Sequence, residues 1–234
     1  MFENISFLDL THFIHENIPT WSGSCGFKHE IKRDYGDGIR VMKYSMHGSA
    51  GTHIDAPSHF FKEGKQIGDL ALKDLIVPYA CIDVSHKMQP SLQITLEDVL
   101  DYEQLYGPIT PATFVIGFTG WGKYWNEPLK YRNEVEGKLV FPTYSYKAVC
   151  YLNTKGISGV GIDTLSPDPS DSDHPVHKLL LGEGKYIVEN MAHLEKLPSR
   201  QGMILILPMK IANGAEAPIR LLAACEKGKL CNHT

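Results

Sequence analysis

The sequence predicts a mixed α/β fold with a mostly antiparallel, β-barrel-like sheet at its core and a few flanking helices. Seven short runs are dense in aliphatic and aromatic residues and are bounded by Gly or Pro, which favours strands over helices. Three other stretches carry helix start and stop signals. Because these helices do not alternate regularly with the strands, a doubly wound sheet is not expected. No repeat, low-complexity tract or linker divides the 234 residues, so we predict one domain over residues 1–234.

The predicted elements follow one another along the chain. The strands are ISFLDLT, RVMKYSM, YACIDVS, TFVIGF, GVGID, KYIVEN and MILILP. Thr95 is the expected N-cap of a helix, TLEDVLDYEQLY, with a carboxylate in its first turn. A second helix, PTYSYKAVCYLNTKG, is expected to begin near Pro142 and to stop at Gly156. The short third helix, HPVHKLLLGEG, is expected to end at Gly182.

Composition and charge exclude several classes of protein. The net charge of −4 provides no basic surface for nucleic acid. No stretch of about 18 apolar residues occurs, so no membrane span is expected. The segment MFENISFLDLTHF lacks the features of a secretory signal. The cysteines are scattered without a CxxC pair, which indicates reduced thiols and a cytoplasmic protein; they are Cys25, Cys81, Cys150, Cys225 and Cys231.

The stretch GTHIDAPSHF is the strongest candidate for a functional site. His53 and Asp55 are two residues apart, so their side chains share a face of an extended segment. Pro57 ends strand pairing, and the chain then turns so that His59 can approach the other two. Imidazole and carboxylate together suit zinc, manganese or iron. The alternative is that these histidines are satisfied by backbone partners at a turn.

A second group of candidates lies between residues 161 and 194. Glu189 stands inside the apolar run YIVEN, where a buried carboxylate needs a metal or a basic partner. Its alternative is a position on an edge strand that faces solvent. His174 and His177 are neighbours on a helix face, and His193 follows Glu189. The four aspartates of DTLSPDPSDSD are typical of a turn-rich loop.

These motifs resemble the cyclase-like metal-dependent hydrolases, a superfamily that includes arylformamidase (kynurenine formamidase) and isatin hydrolase. GTHIDAPSHF is similar to the family signature HxGTHxDxPxH. Further similar segments are FLDLTHFIHENIPTWSG, TGWGKYW, GVGIDTLSPDP, HPVHKLLLGEGKYIVENM and LPMKIANGAEAPIRLLA, so the resemblance extends over most of the chain. It implies a mixed α/β fold around a barrel-like sheet, and a homodimer or tetramer.

The resemblance also implies roles for individual residues. His53 and Asp55 would bind metal, with Asp55 able to bridge two ions. Glu189 and His177 would be the downstream ligands. His59 would be the catalytic acid–base, and Trp21 would lie in the pocket wall against a flat aromatic substrate.

One position departs from the signature. Its first histidine stands four residues before His53, where this chain has Ser49. A serine hydroxyl is a poor zinc ligand. By strand alternation His47 shares a face with Ser49 and His53, so His47 is a candidate replacement ligand, with a surface histidine as the alternative. We expect one tightly held ion, and a second that is weak and depends on His47.

The ligand set predicts hydrolysis of an amide-type C–N bond. A divalent ion, Zn²⁺ or Mn²⁺, lowers the pKa of bound water and polarises a carbonyl, and the resulting hydroxide would attack. His59 would act as general base and then as general acid. Candidate substrates are planar aromatic amides: an aryl formamide such as N-formylkynurenine, or a cyclic amide such as isatin. Two alternatives stay open: a non-hydrolytic lyase or dehydratase on the same metal site, and a metal-binding scaffold without catalysis.

Overall fold

The computed structural model describes residues 3–228, so Cys231 lies outside the described residues. The strands are β1 (Ile5–Asp9), β2 (Phe27–Arg33), β3 (Val41–Met46), β4 (His53–Asp55), β5 (Ile76–Asp83), β6 (Gln93–Ile94), β7 (Phe114–Phe118), β8 (Glu134–Val135), β9 (Lys138–Leu139), β10 (Thr143–Tyr144), β11 (Gly159–Ile162), β12 (Tyr186–Glu189), β13 (Gly202–Pro208) and β14 (Glu216–Glu226). The α-helices are α1 (Leu72–Leu75), α2 (Leu96–Tyr106), α3 (Pro128–Arg132), α4 (Tyr146–Thr154) and α5 (Pro175–Gly182). Short 3₁₀ helices cover Tyr35–Asp37, Pro57–His59, Ile67–Asp69, Ser85–Lys87, Trp121–Tyr124 and Leu194–Lys196.

The main sheet closes on itself. Its order is β1-β14-β13-β5-β7-β11-β12-β4, and β4 also pairs with β14. The neighbours β5, β7, β11 and β12 run parallel, whereas every other pair in this sheet is antiparallel. Closure satisfies the edge hydrogen bonds that an open sheet would expose. The predicted mixed, mostly antiparallel, barrel-like sheet is confirmed.

Two hydrophobic cores lie on opposite faces of this sheet. Along β7, Phe114 and Ile116 join a core that is built from strands all round the barrel. Val115, between them, joins a second core with Val99 of α2 and Leu152 of α4. Because strand side chains alternate between faces, one short strand serves both cores. The barrel is therefore filled on the inside and covered by helices on the outside.

The helix predictions are confirmed at α2 and α5 and need one correction at α4. Thr95 caps α2: its hydroxyl accepts the Asp98 N–H at 3.2 Å, and Asp98 Oδ2 accepts the Thr95 N–H at 2.8 Å. The helix predicted from Pro142 instead begins at Tyr146, with Ser145 as its N-cap. The preceding residues form β10, which pairs with β6, so tertiary pairing delays the start of the helix.

All seven predicted strand runs contain strands of the structure. The strands β2 and β3 form a separate two-stranded sheet. The prediction missed β2, because its sequence FKHEIKR is mostly polar and most of its side chains face solvent. Within residues 3–228, no helix has the length and apolar character needed to cross a bilayer.

Candidate metal centre and active site

The candidate site lies at the seam where the barrel closes. There β4 is paired on one side with β12 and on the other with β14. His53 stands directly opposite Glu189, and Asp55 stands directly opposite Glu216. Residues that are directly opposite in an antiparallel pair point to the same face. Three strands thus direct one imidazole and three carboxylates to one place.

Four predicted ligands meet here at short range. His53 Nε2 lies 3.3 Å from Glu189 Oε2 and 3.7 Å from Asp55 Oδ1. His177 Nε2, which α5 supplies, lies 3.3 Å from Glu189 Oε1 and 3.5 Å from Asp55 Oδ2. All four side chains are buried. Glu189 therefore does not face solvent as an edge-strand residue would.

The chemistry of this cluster fits a divalent cation. Asp55 Oδ1 is buried and has no hydrogen-bond partner among the described residues. His53 Nδ1 donates to the Gly51 carbonyl at 2.9 Å, so Nε2 is the nitrogen that faces the cluster and can bind a cation once it has lost its proton. Ligand atoms of Asp55, His177 and Glu189 all lie within 4.8 Å of one another. Buried carboxylates and neutral imidazole nitrogens are donors that divalent metals accept.

Asp168 orients the second imidazole, a role that the sequence analysis did not assign. The Asp168 carboxylate is buried and accepts His177 Nδ1 at 2.7 Å. It also accepts the backbone N–H groups of Val176 at 2.9 Å and of His177 at 3.0 Å, so it caps the start of α5. Sequence reasoning assigned this aspartate to a polar loop. No local signal separates it from Asp171 and Asp173, which stand nearer to the helix-starting Pro175.

Without a cation, protons on the two imidazoles balance the charge of the carboxylates. Burial disfavours a charge on His53, but a hydrogen bond to Glu189 and the charges of Asp55 and Glu189 outweigh it and raise its pKa to about 9. Burial likewise opposes charge on His177, yet contacts with Asp168, Asp55 and Glu189 raise its pKa well above the ordinary value. Burial alone would raise the pKa of Asp55, but the two imidazoles lower it. Protons and a metal ion thus compete for the same nitrogens.

A cavity of about 310 Å³ opens over the cluster. His59 and Trp21 both line it. The His59 side chain is 31% exposed, and its Nδ1 lies 3.8 Å from Glu216 Oε2. The Trp21 ring is edge-on to Phe141, with centroids 6.1 Å apart, and keeps 42% of its surface exposed. Phe60 and His174 complete the aromatic part of the wall.

The structure does not bring His47 to the cluster. Residues 48–52 form turns and bends, so His47 is not joined to His53 by a strand, and Gly51 has a φ of +70°. The strand-alternation argument for His47 is therefore wrong. His47 is exposed, and no group of potential ligands within residues 3–228 includes it, whereas Ser49 lines the cavity. His193 lies at a different cavity, of about 620 Å³.

Comparisons with known proteins identify the family of the chain. Residues 8–169 match the family model described as putative cyclase. The chain belongs to the cyclase family. Trp21, His53, Asp55 and His59 lie within the matched range. The family comprises cyclase-like metal-dependent hydrolases, as the sequence resemblance indicated.

Curated relatives cover most of the chain. A kynurenine formamidase of Bacillus cereus is 28% identical over 221 residues, which is 91% of this chain and 94% of the relative. An isatin hydrolase of Roseibium aggregatum is 30% identical over 190 residues, which is 76% of this chain and 72% of the relative. These relatives are named for hydrolysis at amide C–N bonds.

Solved structures share the fold. An isatin hydrolase bound to the product analogue thioisatinate has a TM-score of 0.90 at 24% identity, over 96% of this chain and 94% of that one. Isatin hydrolase A from Ralstonia solanacearum has a TM-score of 0.89 at 26% identity, over 95% of this chain and 92% of that one.

Proposed function

We propose that this protein is a metal-dependent hydrolase that cleaves an amide-type C–N bond in a small planar substrate. One observation carries the proposal: two imidazole Nε2 atoms and two buried carboxylates converge at the base of an aromatic cavity. His53, Asp55, His177 and Glu189 would hold the cation. When bound, a divalent ion would supply Lewis-acid chemistry, polarising a carbonyl and making water more acidic.

The chain's own groups would hold the substrate and move the proton. His59 reaches the cavity and remains partly exposed, so it can take a proton from the attacking water. As the water oxygen bonds to the carbonyl carbon and the C–N bond breaks, His59 returns that proton to the leaving nitrogen. Asp168 and the Gly51 carbonyl keep the two imidazoles in orientation throughout.

The cavity supports a small aromatic substrate. Its volume of about 310 Å³ lies at the lower end of the range for small-molecule sites. Trp21 offers an exposed indole for stacking against a planar ring. By analogy with the relatives, we propose an aryl formamide such as N-formylkynurenine, or a cyclic amide such as isatin.

The ligand types and the family resemblance support the proposed ion and oligomeric state, and the scattered cysteines without a CxxC pair support the proposed location. The ion would be Zn²⁺ or Mn²⁺, with one held tightly and room for a second. The protein would work as a homo-oligomer, a dimer or tetramer of one-domain chains, in the cytoplasm.

A turnover screen tests the proposal. Metal-loaded protein should release formate from N-formylkynurenine or open the ring of isatin, and a chelator should abolish either reaction. Loss of water from a hydroxy acid, without amide hydrolysis, would indicate a lyase. Binding of substrate without any product would indicate a scaffold.

A further inference from the structure

Glu216 is a third carboxylate at the site, and neither the signature nor the sequence prediction gives it a role. It begins β14 directly opposite Asp55, and its side chain lines the cavity with 26% of its surface exposed. Ligand atoms of Glu216, His53 and Asp55 lie within 4.8 Å of one another. Glu216 is therefore close enough to share a cation with both.

The cluster has two halves, because Asp55 and Glu189 each direct one carboxylate oxygen towards His177 and the other towards His53. Asp55 Oδ2 and Glu189 Oε1 face His177 Nε2, whereas Asp55 Oδ1 and Glu189 Oε2 face His53 Nε2. The oxygen without a hydrogen-bond partner among the described residues is Asp55 Oδ1, on the His53 half, and the Asp55 side chain is only 2% exposed. The His53 half thus holds a buried acceptor that no described residue satisfies.

This half is also where the chain departs from the signature. Ser49 lines the cavity but offers only a neutral hydroxyl. The turn that carries it packs on Glu216: a Cβ added to the neighbouring Gly48 would lie 2.9 Å from Glu216 Cβ and 3.1 Å from its carbonyl oxygen. Glu216 thus lies beside the position from which the missing histidine would act.

We propose that Glu216 replaces the missing signature histidine as a ligand to a second divalent cation, bound together with His53, Asp55 and Glu189. This inference rests on the proposed metal-dependent function. With Asp55 and Glu189 as the only carboxylate ligands, two divalent ions would keep a net charge of about +2. A third carboxylate lowers that charge to about +1, whereas a neutral histidine would not change it. Glu216 therefore reduces the charge repulsion that a second ion would meet.

The donor types also bear on which metal binds. In this half oxygen donors from three carboxylates accompany one imidazole nitrogen. Oxygen donors suit manganese, and imidazole suits zinc. Replacing histidine by glutamate therefore shifts this half towards Mn²⁺ relative to Zn²⁺.

A Mn²⁺ titration of the metal-free protein, followed by the electron paramagnetic resonance signal of free Mn²⁺, tests this directly. Unmodified protein should bind two equivalents per chain, one more tightly than the other. Glu216→Gln should weaken the second equivalent by at least about tenfold and leave the first unchanged, because an amide lacks the charge of a ligating carboxylate. Glu216→His should restore the second equivalent and raise its preference for Zn²⁺. His47→Ala and Ser49→Ala are matched controls that should keep both.

An unchanged second equivalent in Glu216→Gln, or a single equivalent in unmodified protein, would overturn the role of Glu216 while leaving the proposed hydrolase intact. Absence of any bound Mn²⁺ or Zn²⁺ in unmodified protein would overturn both proposals. If Glu216→Gln fails to fold, as circular dichroism would show, Glu216→Asp takes its place. The aspartate keeps the charge but shortens the reach, so it should also weaken the second equivalent selectively.

Discussion

His177 Nδ1 donates to Asp168 Oδ2 at 2.7 Å, and this bond determines that Nε2 is the nitrogen that faces the cluster. Asp168 should therefore act on metal binding without touching the metal. Asp168→Asn should lower metal affinity about 10–100-fold, the usual effect of removing a group that orients a ligand. Calorimetric metal titration provides the measurement. Asp173→Asn, in the same loop but with a 95% exposed side chain, is the matched control and should leave affinity unchanged.

Removing a ligand should have a larger effect. Asp55→Ala and Glu189→Ala should each lose the bound metal and nearly all activity, and His53→Ala should lose the cation on its own half of the cluster, because each variant leaves an incomplete set of donors at a buried site. Elemental analysis of the purified variants measures how much metal each one retains. Full metal occupancy in all three variants would remove these residues from the ligand set.

His59 should behave differently from the ligands. His59→Ala should keep its metal and lose about 10²–10⁴-fold in kcat, the usual contribution of general acid–base catalysis. His29→Ala, which removes a half-exposed histidine on β2, should change neither quantity. Loss of metal along with activity would make His59 a ligand rather than a proton carrier.

Trp21 should discriminate between substrates by shape. Trp21→Ala should raise KM for aromatic amides more than for small aliphatic amides, because stacking contributes about 0.5–1.5 kcal/mol beyond burial. Phe13→Ala, at a 90% exposed position away from this cavity, is the control. Equal effects on both substrate classes would show that Trp21 only packs the loop.

Metal binding should release protons at neutral pH. His53 has a pKa of about 9 without a cation, so it is protonated at pH 7 and must lose that proton to become a ligand. Titration calorimetry in buffers of different ionisation enthalpy should show this release, decreasing as the pH rises through about 9. Because the pKa of His53 is higher in the folded chain than the unfolded value of about 6.5, protonation of His53 stabilises the metal-free fold. This contribution is complete below about pH 6.5 and is lost as the pH rises through about 9. Proton-neutral metal uptake at pH 7 would contradict this account.

Sequence reasoning succeeded where local spacing determines geometry. The pair His53 and Asp55 follows from strand alternation, and Glu189 follows from the cost of a carboxylate inside an apolar run. The same alternation failed for His47, because Gly51 breaks the extended chain with a positive φ. Strand periodicity alone does not reveal such a turn.

The positions of Glu216 and Asp168 in the site could not be predicted, because they depend on contacts that local sequence patterns do not reveal. Glu216 reaches the site only through the register of β14 against β4, which joins distant parts of the chain. Asp168 is distinguished from its neighbours in DTLSPDPSDSD only by its burial against α5. The closed sheet was predictable as a class, but its parallel β5-β7-β11-β12 portion was not.

The three-residue strand β4 completes the barrel by bridging β12 and β14, and it also carries two of the proposed ligands. A cation held there would cross-link segments that are far apart in the sequence. It would thereby offset part of the conformational entropy that is lost when the long intervening loops close. Because such an ion binds the folded chain and not the unfolded one, its supply sets the folded population by mass action. In cells starved of the metal, more of the protein would unfold and be degraded. Activity would then fall further than the loss of the ion from intact protein would explain.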